Sequence, residues 1–431
     1  MQKEALFSKM NSYHLSDFEI ETEKKGSDRY IKISYPLRYG HFNEIRTREH
    51  IFRFTLNGEI KTIQGSSGGW LETAEWLKRT PGNDWAYFSA GGYNGAHNYT
   101  GEYYVPCLDY QTNTIFGYGK FESMEVKNAF DAFWSLLQKL DGIHTGDLPE
   151  PVAIMIDRIL HMNLKALEKR RQELHDIIGG PVSVLPPDTR HVEYDVIPLT
   201  IADGCLYNCG FCRVKSGMGF KARTRESIKE QLHALKRFYG RDLVNYNSVF
   251  LGQHDALFAG IDTIAYAAEK SFEILDIEKS TMKEPRLFLF GSVDAILRMD
   301  DNAFARLNRL PFYIYINIGL ESGDPETLAY LKKPLSTEKV SAAFSRMIEI
   351  NHRFPNIEIS ANFVIGDGLP DSHLPSIVSL TRNRLDHFYP KGDIYLSPLE
   401  NIGSKERLLT EFNSFKTLCR LPAYLYLIQR L

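Results

Sequence analysis

Cysteine is scarce in this chain, with five in 431 residues. That excludes a disulfide-built scaffold, which crowds cysteines through a short secreted sequence. Charge of one sign is scarce too. A formal net charge of −3 excludes bulk attraction to nucleic acid or to an anionic membrane as the basis of function. Long apolar runs are missing. None reaches the roughly 20 residues of a bilayer-spanning helix, and Met1 to Asp17 holds no apolar core of the signal-peptide kind. The expectation is a cytoplasmic protein with no membrane partner and no obvious nucleic-acid partner. No short repeat or low-complexity segment is present. Gly65-Ser66-Ser67-Gly68-Gly69 lacks the Lys-Ser/Thr ending of a phosphate-binding loop, so it reads as a plain loop.

What is present is ample core material, 43% hydrophobic and 12% aromatic. The length suits two or three domains. Residues 1–140 read as a β-rich α+β domain. Ile51 to Leu56 and Glu59 to Ile63 flank Asn57-Gly58, a strong hairpin signal. Tyr30 to Tyr35 is a further strand pattern, and Val126 to Leu140 a helical one. Residues 141–192 read as a linker and one long charged helix, with Ile156, Leu160, Leu164, Leu167, Leu174 and Ile178 on one side. Gly179-Gly180-Pro181 stops it.

From residue 193 to 400 the pattern changes to strands alternating with helices. Strand-like runs at Val192–Ile201, Ser248–Leu251, Arg286–Phe290, Phe312–Leu320, Ile357–Ile365 and Asp393–Leu396 are separated by helical ones. That alternation predicts βαβ units and a parallel sheet. Six strands predict a partial (β/α)6 TIM-like barrel, so the fold class is α/β. Thr224 to Tyr239 is one of the helices, with Ser227 and Glu230 in capping-box spacing. Residues 401–431 read as a short helical tail.

Three of the five cysteines stand within eight residues: Cys205, Cys209 and Cys212, in Gly204-Cys205-Leu206-Tyr207-Asn208-Cys209-Gly210-Phe211-Cys212. Thiolates favour soft metals and iron–sulfur clusters. Three of them hold three irons of a [4Fe–4S] cube and leave the fourth free to bind a cofactor. A structural zinc would need a fourth ligand, for which Cys107, Cys419, His191 and His233 are the candidates. The motif follows the first strand of the barrel series, at the end where barrel enzymes keep their active sites.

With an aromatic residue, Phe211, before the third cysteine, C-x3-C-x2-C resembles the signature of the radical S-adenosylmethionine (SAM) superfamily. Asn317-Ile318-Gly319-Leu320-Glu321-Ser322-Gly323-Asp324, with Leu328 and Lys332-Lys333 after it, is most similar to the branch of oxygen-independent coproporphyrinogen oxidase and the Elongator catalytic subunit. The resemblance implies two cofactors, a [4Fe–4S] cluster and SAM, and an oxygen-sensitive protein. It implies that the reduced cluster cleaves SAM to a 5′-deoxyadenosyl radical, which abstracts hydrogen from an unknown substrate. It also implies a one-electron donor such as flavodoxin or ferredoxin.

Carried over position by position, the resemblance implies that Gln253 or Asp255 meets the SAM amino group. The turn Gly252-Gln253-His254-Asp255 departs from the family's usual Gly-Gly-Glu, and Asp255 also suits a helix N-cap. Ser292 and Asp294 face the same mouth, as site or as cap. Glu321 stands near SAM, and Asn362 and Gly366 lie where backbone approaches the adenine. The alternative function is an iron–sulfur electron-transfer or sensing protein that does not cleave SAM. A last expectation concerns the open side of the barrel. The first 190 residues are its larger available cover, and Trp85 to Tyr104, with Tyr93, Tyr103 and Tyr104, suit a substrate-binding loop.

Overall fold

The computed structural model describes residues 12–15, 17–30, 38–66, 75–89, 104–106, 122–212, 214, 219–399 and 404–426. Near the N-terminus, strands β1 (Ser12–Leu15), β2 (Phe18–Lys25), β3 (His41–Arg46), β4 (His50–Phe54), β5 (Ile60–Gly65), β6 (Glu75–Arg79), β7 (Trp85–Ser89) and β8 (Tyr104–Pro106) form one sheet in chain order. Every pair is antiparallel. The expected hairpin is there, with Phe54 paired to Ile60 across Asn57-Gly58. Gly58 has φ +93°, and a Cβ on it would meet the Arg158 backbone at 2.5 Å. Only glycine meets both demands.

Helices α1 (Met124–Asp141), α2 (Glu150–His161) and α3 (Leu164–Ile178) follow. Alpha-helical spacing puts Val126, Ala129, Phe133, Leu136 and Leu140 on one buried side of α1, where they pack with Phe52, Phe54 and Ile63 of the sheet. Burying one such phenylalanine is worth about 2 kcal/mol. The single long helix expected here is two helices. They break at Met162-Asn163, and the Asn163 side chain caps α3 by accepting from Ala166 N. Pro151, expected in a linker, sits in the first turn of α2, where its missing N–H costs nothing. Of the Tyr30 to Tyr35 pattern, only Tyr30 lies among the described residues.

The second half is a wound β/α unit. Strand β9 (Ile197–Pro198) leads to the short pair β10 (Ala202–Asp203) and β11 (Lys221–Ala222) around the cysteine loop. There follow α4 (Arg225–Tyr239), β12 (Ser248–Phe250), α5 (Ile261–Ile274), β13 (Arg286–Gly291), α6 (Val293–Arg298) and α7 (Asp301–Leu307). Then come β14 (Tyr313–Glu321), α8 (Pro325–Tyr330), α9 (Thr337–Arg353), β15 (Ile357–Ile365), α10 (His373–Val378), β16 (Ile394–Pro398), α11 (Lys405–Leu418) and β17 (Ala423–Leu425). The sheet order is β9-β12-β13-β14-β15-β16-β17, and all pairs are parallel.

Each crossover adds a strand to the same edge, which is barrel winding rather than the reversal of a doubly wound sheet. The strands number seven, not six, because the tail expected to be helical adds β17 after its helix. Helix α4 is capped by Thr224, whose side chain accepts from Ser227 N, so Ser227 stands inside the helix rather than at its cap. Along β14 the period of two sends Ile314, Ile316, Ile318 and Leu320 into the main core, and Asn317, Gly319 and Glu321 toward the barrel interior.

Residues 181–192 run along the barrel from the cysteine end to the floor. At the upper end, Pro181 O accepts from the Gln253 amide at 3.0 Å, and Ser183 N donates to it at 2.6 Å. Midway, Leu185 O accepts from the Tyr426 hydroxyl. At the floor a 3-10 turn, Pro187–Val192, enters the interior. Asp188 accepts from Ser360 at 2.7 Å and from Tyr395 at 3.0 Å. Arg190 pairs with Asp393 and lies 4.2 Å over the Tyr424 ring.

The N-terminal sheet docks at this same lower end. Lys61 and Lys78 pair with Asp195 at 3.3 and 2.7 Å. Asn57 donates to Tyr239 O at 2.8 Å, and Asn245 to His41 O at 2.8 Å. All these barrel residues precede their strands. The described part of the N-terminal sheet therefore sits at the end opposite the cysteine loop. Of the proposed substrate loop, residues 90–103 lie outside the described residues, Tyr93 and Tyr103 among them. Tyr104 opens β8.

Candidate metal centre and cofactor site

The cysteine loop leaves the barrel through Gly204, at φ +70°. Its base is closed by Arg223, which grips both oxygens of Asp203 at 2.8 and 2.7 Å. Farther along, Gly210 N donates to Leu331 O at 3.0 Å and Cys212 N to Cys209 O at 3.4 Å. Burial pushes the Cys205 thiol up to about 11, and the Cys212 thiol beside it adds to the shift. Burial also raises Cys209, with Lys333 opposing. Metal loading here therefore releases protons.

Two thiolates on one zinc, each at about 2.3 Å, lie about 3.8 Å apart. Among the described residues, the three cysteine sulfurs do not all lie within 4.8 Å of one another, and no two of them do so together with a histidine. A single tetrahedral ion would need them drawn closer together. Nor do the fourth ligands considered from sequence close the site. His191 stacks on Tyr315 at the floor, His233 is exposed, Cys419 is buried at the end of α11, and Cys107 lies outside the described residues.

The three cysteines open onto a cavity of about 280 Å³ at the upper end of the barrel. Phe211, Gln253, Asp255, Ser292, Glu321 and Asn362 line it. Gly366 is not on its wall; a Cβ there would meet Leu399 at 3.1 Å. Gln253 reaches the wall with its amide already bound to the 181–183 backbone.

Asp255 does two things. Its Oδ1 caps the turn after β12 by accepting from Phe258 N at 3.3 Å, and it accepts from Ser292 N at 3.0 Å. Its Oδ2 is buried and accepts from no donor among the described residues. A buried carboxylate oxygen without a donor is costly, and burial raises the Asp255 pKa accordingly. An ammonium group from the cavity would satisfy it. Ser292 also serves as cap and wall, its hydroxyl accepting from Ala295 N at 3.1 Å.

Glu321 carries φ +65° at a bulge in β14, a backbone state that non-glycine residues seldom hold. The bulge turns its carboxylate back over Gly319, where a Cβ would meet Oε1 at 2.4 Å. Lys333 donates to Oε1 at 2.9 Å and Asn362 to Oε2 at 3.2 Å. Ser397 in turn donates to Asn362 at 2.7 Å. Glu321 is thus a neutralised corner of the wall rather than an open carboxylate.

Sequence reasoning missed Tyr207, His254, Lys333, Asn317 and Ser397 as wall residues. Period two in β14 and β16 was the available signal for Asn317 and Ser397. Tyr207 donates to Asp294, which Lys339 holds at 2.7 Å.

Residues 199–381 match the sequence model of the radical SAM superfamily. Among curated proteins, the ribosomal protein uS12 methylthiotransferase RimO of Francisella philomiragia subsp. philomiragia is 25% identical over 203 residues, 43% of this chain and 42% of that protein. RimO of a Psychrobacter species is 24% identical over 187 residues, 39% and 32%. The chain spans well under half the length of these relatives. Of solved structures, a radical SAM methyltransferase from Sphaerobacter thermophilus aligns over 54% of this chain and 65% of its own, at 19% identity and TM-score 0.35. Streptococcus suis SuiB aligns over 82% and 71%, at 11% and 0.36.

Proposed function

We propose, from the match of residues 199–381 to the radical SAM superfamily, that the chain is a SAM-cleaving radical enzyme. Cys205, Cys209 and Cys212 would hold a [4Fe–4S] cluster, and Asp255 would receive the amino group of SAM. The observation that carries the reading is the pairing of two features in one cavity: three cysteines from one loop, and a buried carboxylate oxygen with no donor among the described residues. When bound, the cluster supplies the electron that splits SAM to methionine and a 5′-deoxyadenosyl radical able to take a hydrogen atom from substrate.

The protein's own part is placement and exclusion of water. Asp255 orients the methionine end. The Glu321–Lys333–Asn362 corner fixes the wall without presenting a free charge. The 181–192 segment closes the seam that a seven-stranded sheet leaves. Among the described residues no helix is long and apolar enough to cross a membrane. A flavodoxin or ferredoxin is the expected class of electron donor. The relatives' methylthio transfer is not assigned to this chain, because the likeness is confined to part of each protein.

The test is anaerobic reconstitution, reduction and addition of SAM. About four irons per chain are expected, the content of one cluster, with 5′-deoxyadenosine released. A colourless protein holding one tight zinc overturns the reading. A protein with its cluster that never cleaves SAM is instead an electron carrier or sensor.

A further inference from the structure

One side chain that the family resemblance leaves unassigned touches the cysteine loop. His254 stands between Gln253 and Asp255 in the turn after β12. Its Nδ1 lies 3.5 Å from Cys205 Sγ, within the longer reach of a hydrogen bond to sulfur. The imidazole is half-buried and lines the cavity. Nearby Asp203 is held by Arg223 at 2.8 and 2.7 Å.

The contact admits two meanings. His254 is a further metal ligand, or it is a donor to the sulfur. A fourth ligand on one tetrahedral ion would lie within about 4 Å of every other. Among the described residues, His254 does not gather with two or more of the cysteines within 4.8 Å. A metal-bound thiolate carries lone pairs and no hydrogen, so the hydrogen in the contact belongs to the imidazole.

We propose that His254 is a positioning residue that donates Nδ1–H to the Cys205 sulfur and raises the reduction potential of the cluster held there. Hydrogen bonds to cluster sulfurs draw off negative charge and favour the reduced state. The same bond fixes the rotamer of Cys205, which sits where the chain leaves β10. This inference rests on the proposed cluster.

The experiment uses the reconstituted full chain and its His254→Phe and His254→Gln variants. The readout is the fraction of reduced cluster, followed by electron paramagnetic resonance during a redox titration without substrate. His254→Phe keeps the bulk and loses the donor. Its reduced-to-oxidised ratio at a fixed potential should fall about tenfold, which is about 59 mV for one electron. His254→Gln keeps an N–H and should recover most of that loss.

An unmoved potential in a fully loaded His254→Phe protein overturns the inference, as does a glutamine variant no better than phenylalanine. Should the phenylalanine variant fail to fold, the unaltered protein decides. With ¹⁵N-histidine, its reduced cluster should show a weak nitrogen coupling. A strong coupling would mark a direct iron ligand, and no coupling would mean no contact; either refutes it. If the unaltered chain assembles no cluster, the proposed function fails instead, so the two failures are distinguishable.

Discussion

Each end of the barrel gathers buried titratable side chains, and the two gatherings are built on opposite terms. At the floor, Asp188, His191 and Asp393 bring ligand-type atoms within 4.8 Å of one another. Burial pushes Asp188 up to about 8 and holds His191 well below its usual range. By titration alone the floor resembles a site as much as the rim does, where Cys205 is pushed up to about 11. The difference lies in the carboxylates. Ser360 and Tyr395 donate to Asp188, and Arg190 already supplies a cation to Asp393. At the rim, the Asp255 Oδ2 has no donor among the described residues, and three thiols face a cavity. A perturbed pKa marks burial; an unmet valence beside open space marks a place for a ligand.

The comparison breaks most sharply at the cysteines. Replacing any one of Cys205, Cys209 or Cys212 with alanine should reduce bound iron from about four toward none. It should take 5′-deoxyadenosine formation below detection. The urea midpoint of the metal-free chain should stay close to that of the parent. Full turnover by Cys209→Ala would end the cluster assignment.

The floor should respond the other way. Arg190→Met leaves Asp393 buried without its cation, and breaking such a pair costs about 3–5 kcal/mol. Urea unfolding should show that loss. A variant as stable as the parent would mean that the floor is not the clamp described here.

Between these stands Asp255→Asn, a near-isosteric change at the rim. SAM affinity of the reconstituted protein, read by calorimetry, should weaken about tenfold, or about 1.4 kcal/mol. Iron content should be unchanged. The Asp255 Oδ1 bonds to Ser292 N and Phe258 N leave the cap in place, so stability should move little. Glu321→Ala should weaken SAM binding indirectly, by freeing Lys333 and Asn362. Unchanged affinity in both variants would remove these residues from the SAM site.

Much of the rim was legible because its signals are local. Three thiols in eight residues need no fold to be recognised. Strands β13 to β15 fell within a residue or so of their runs, because branched and aromatic residues with period two leave little choice. The misses share a nonlocal cause. His254 reaches Cys205 across 49 positions, and Ser360 reaches Asp188 across 172. Nothing near either residue announces its partner. Helices α2 and α3 read as one because their apolar stripe runs through Met162-Asn163, and only the Asn163 cap divides them. Strand β17 spans three residues, too few for a period to register.

The smallest expected effect tests the floor by pH. An ordinary aspartate titrates near 3.8, and Asp188 is pushed to about 8, chiefly by burial. Between those values the folded chain keeps a proton that the unfolded chain releases. The sign follows from linkage: stability rises with pH only where the unfolded state binds more protons, and here it binds fewer. Asp188 should therefore make the protein less stable as pH rises from about 4 through about 8. Asp188→Asn has no proton to lose and supplies the reference. The gap between parent and variant urea midpoints, followed between pH 7 and 8, should shift against the parent by about 1 kcal/mol as pH rises. Ser360 and Tyr395 donate to Asp188 and oppose the shift, but burial outweighs them. A parent that gains on the variant over this range would mean that Asp188 is ionised at the floor, and that its two donors outweigh burial.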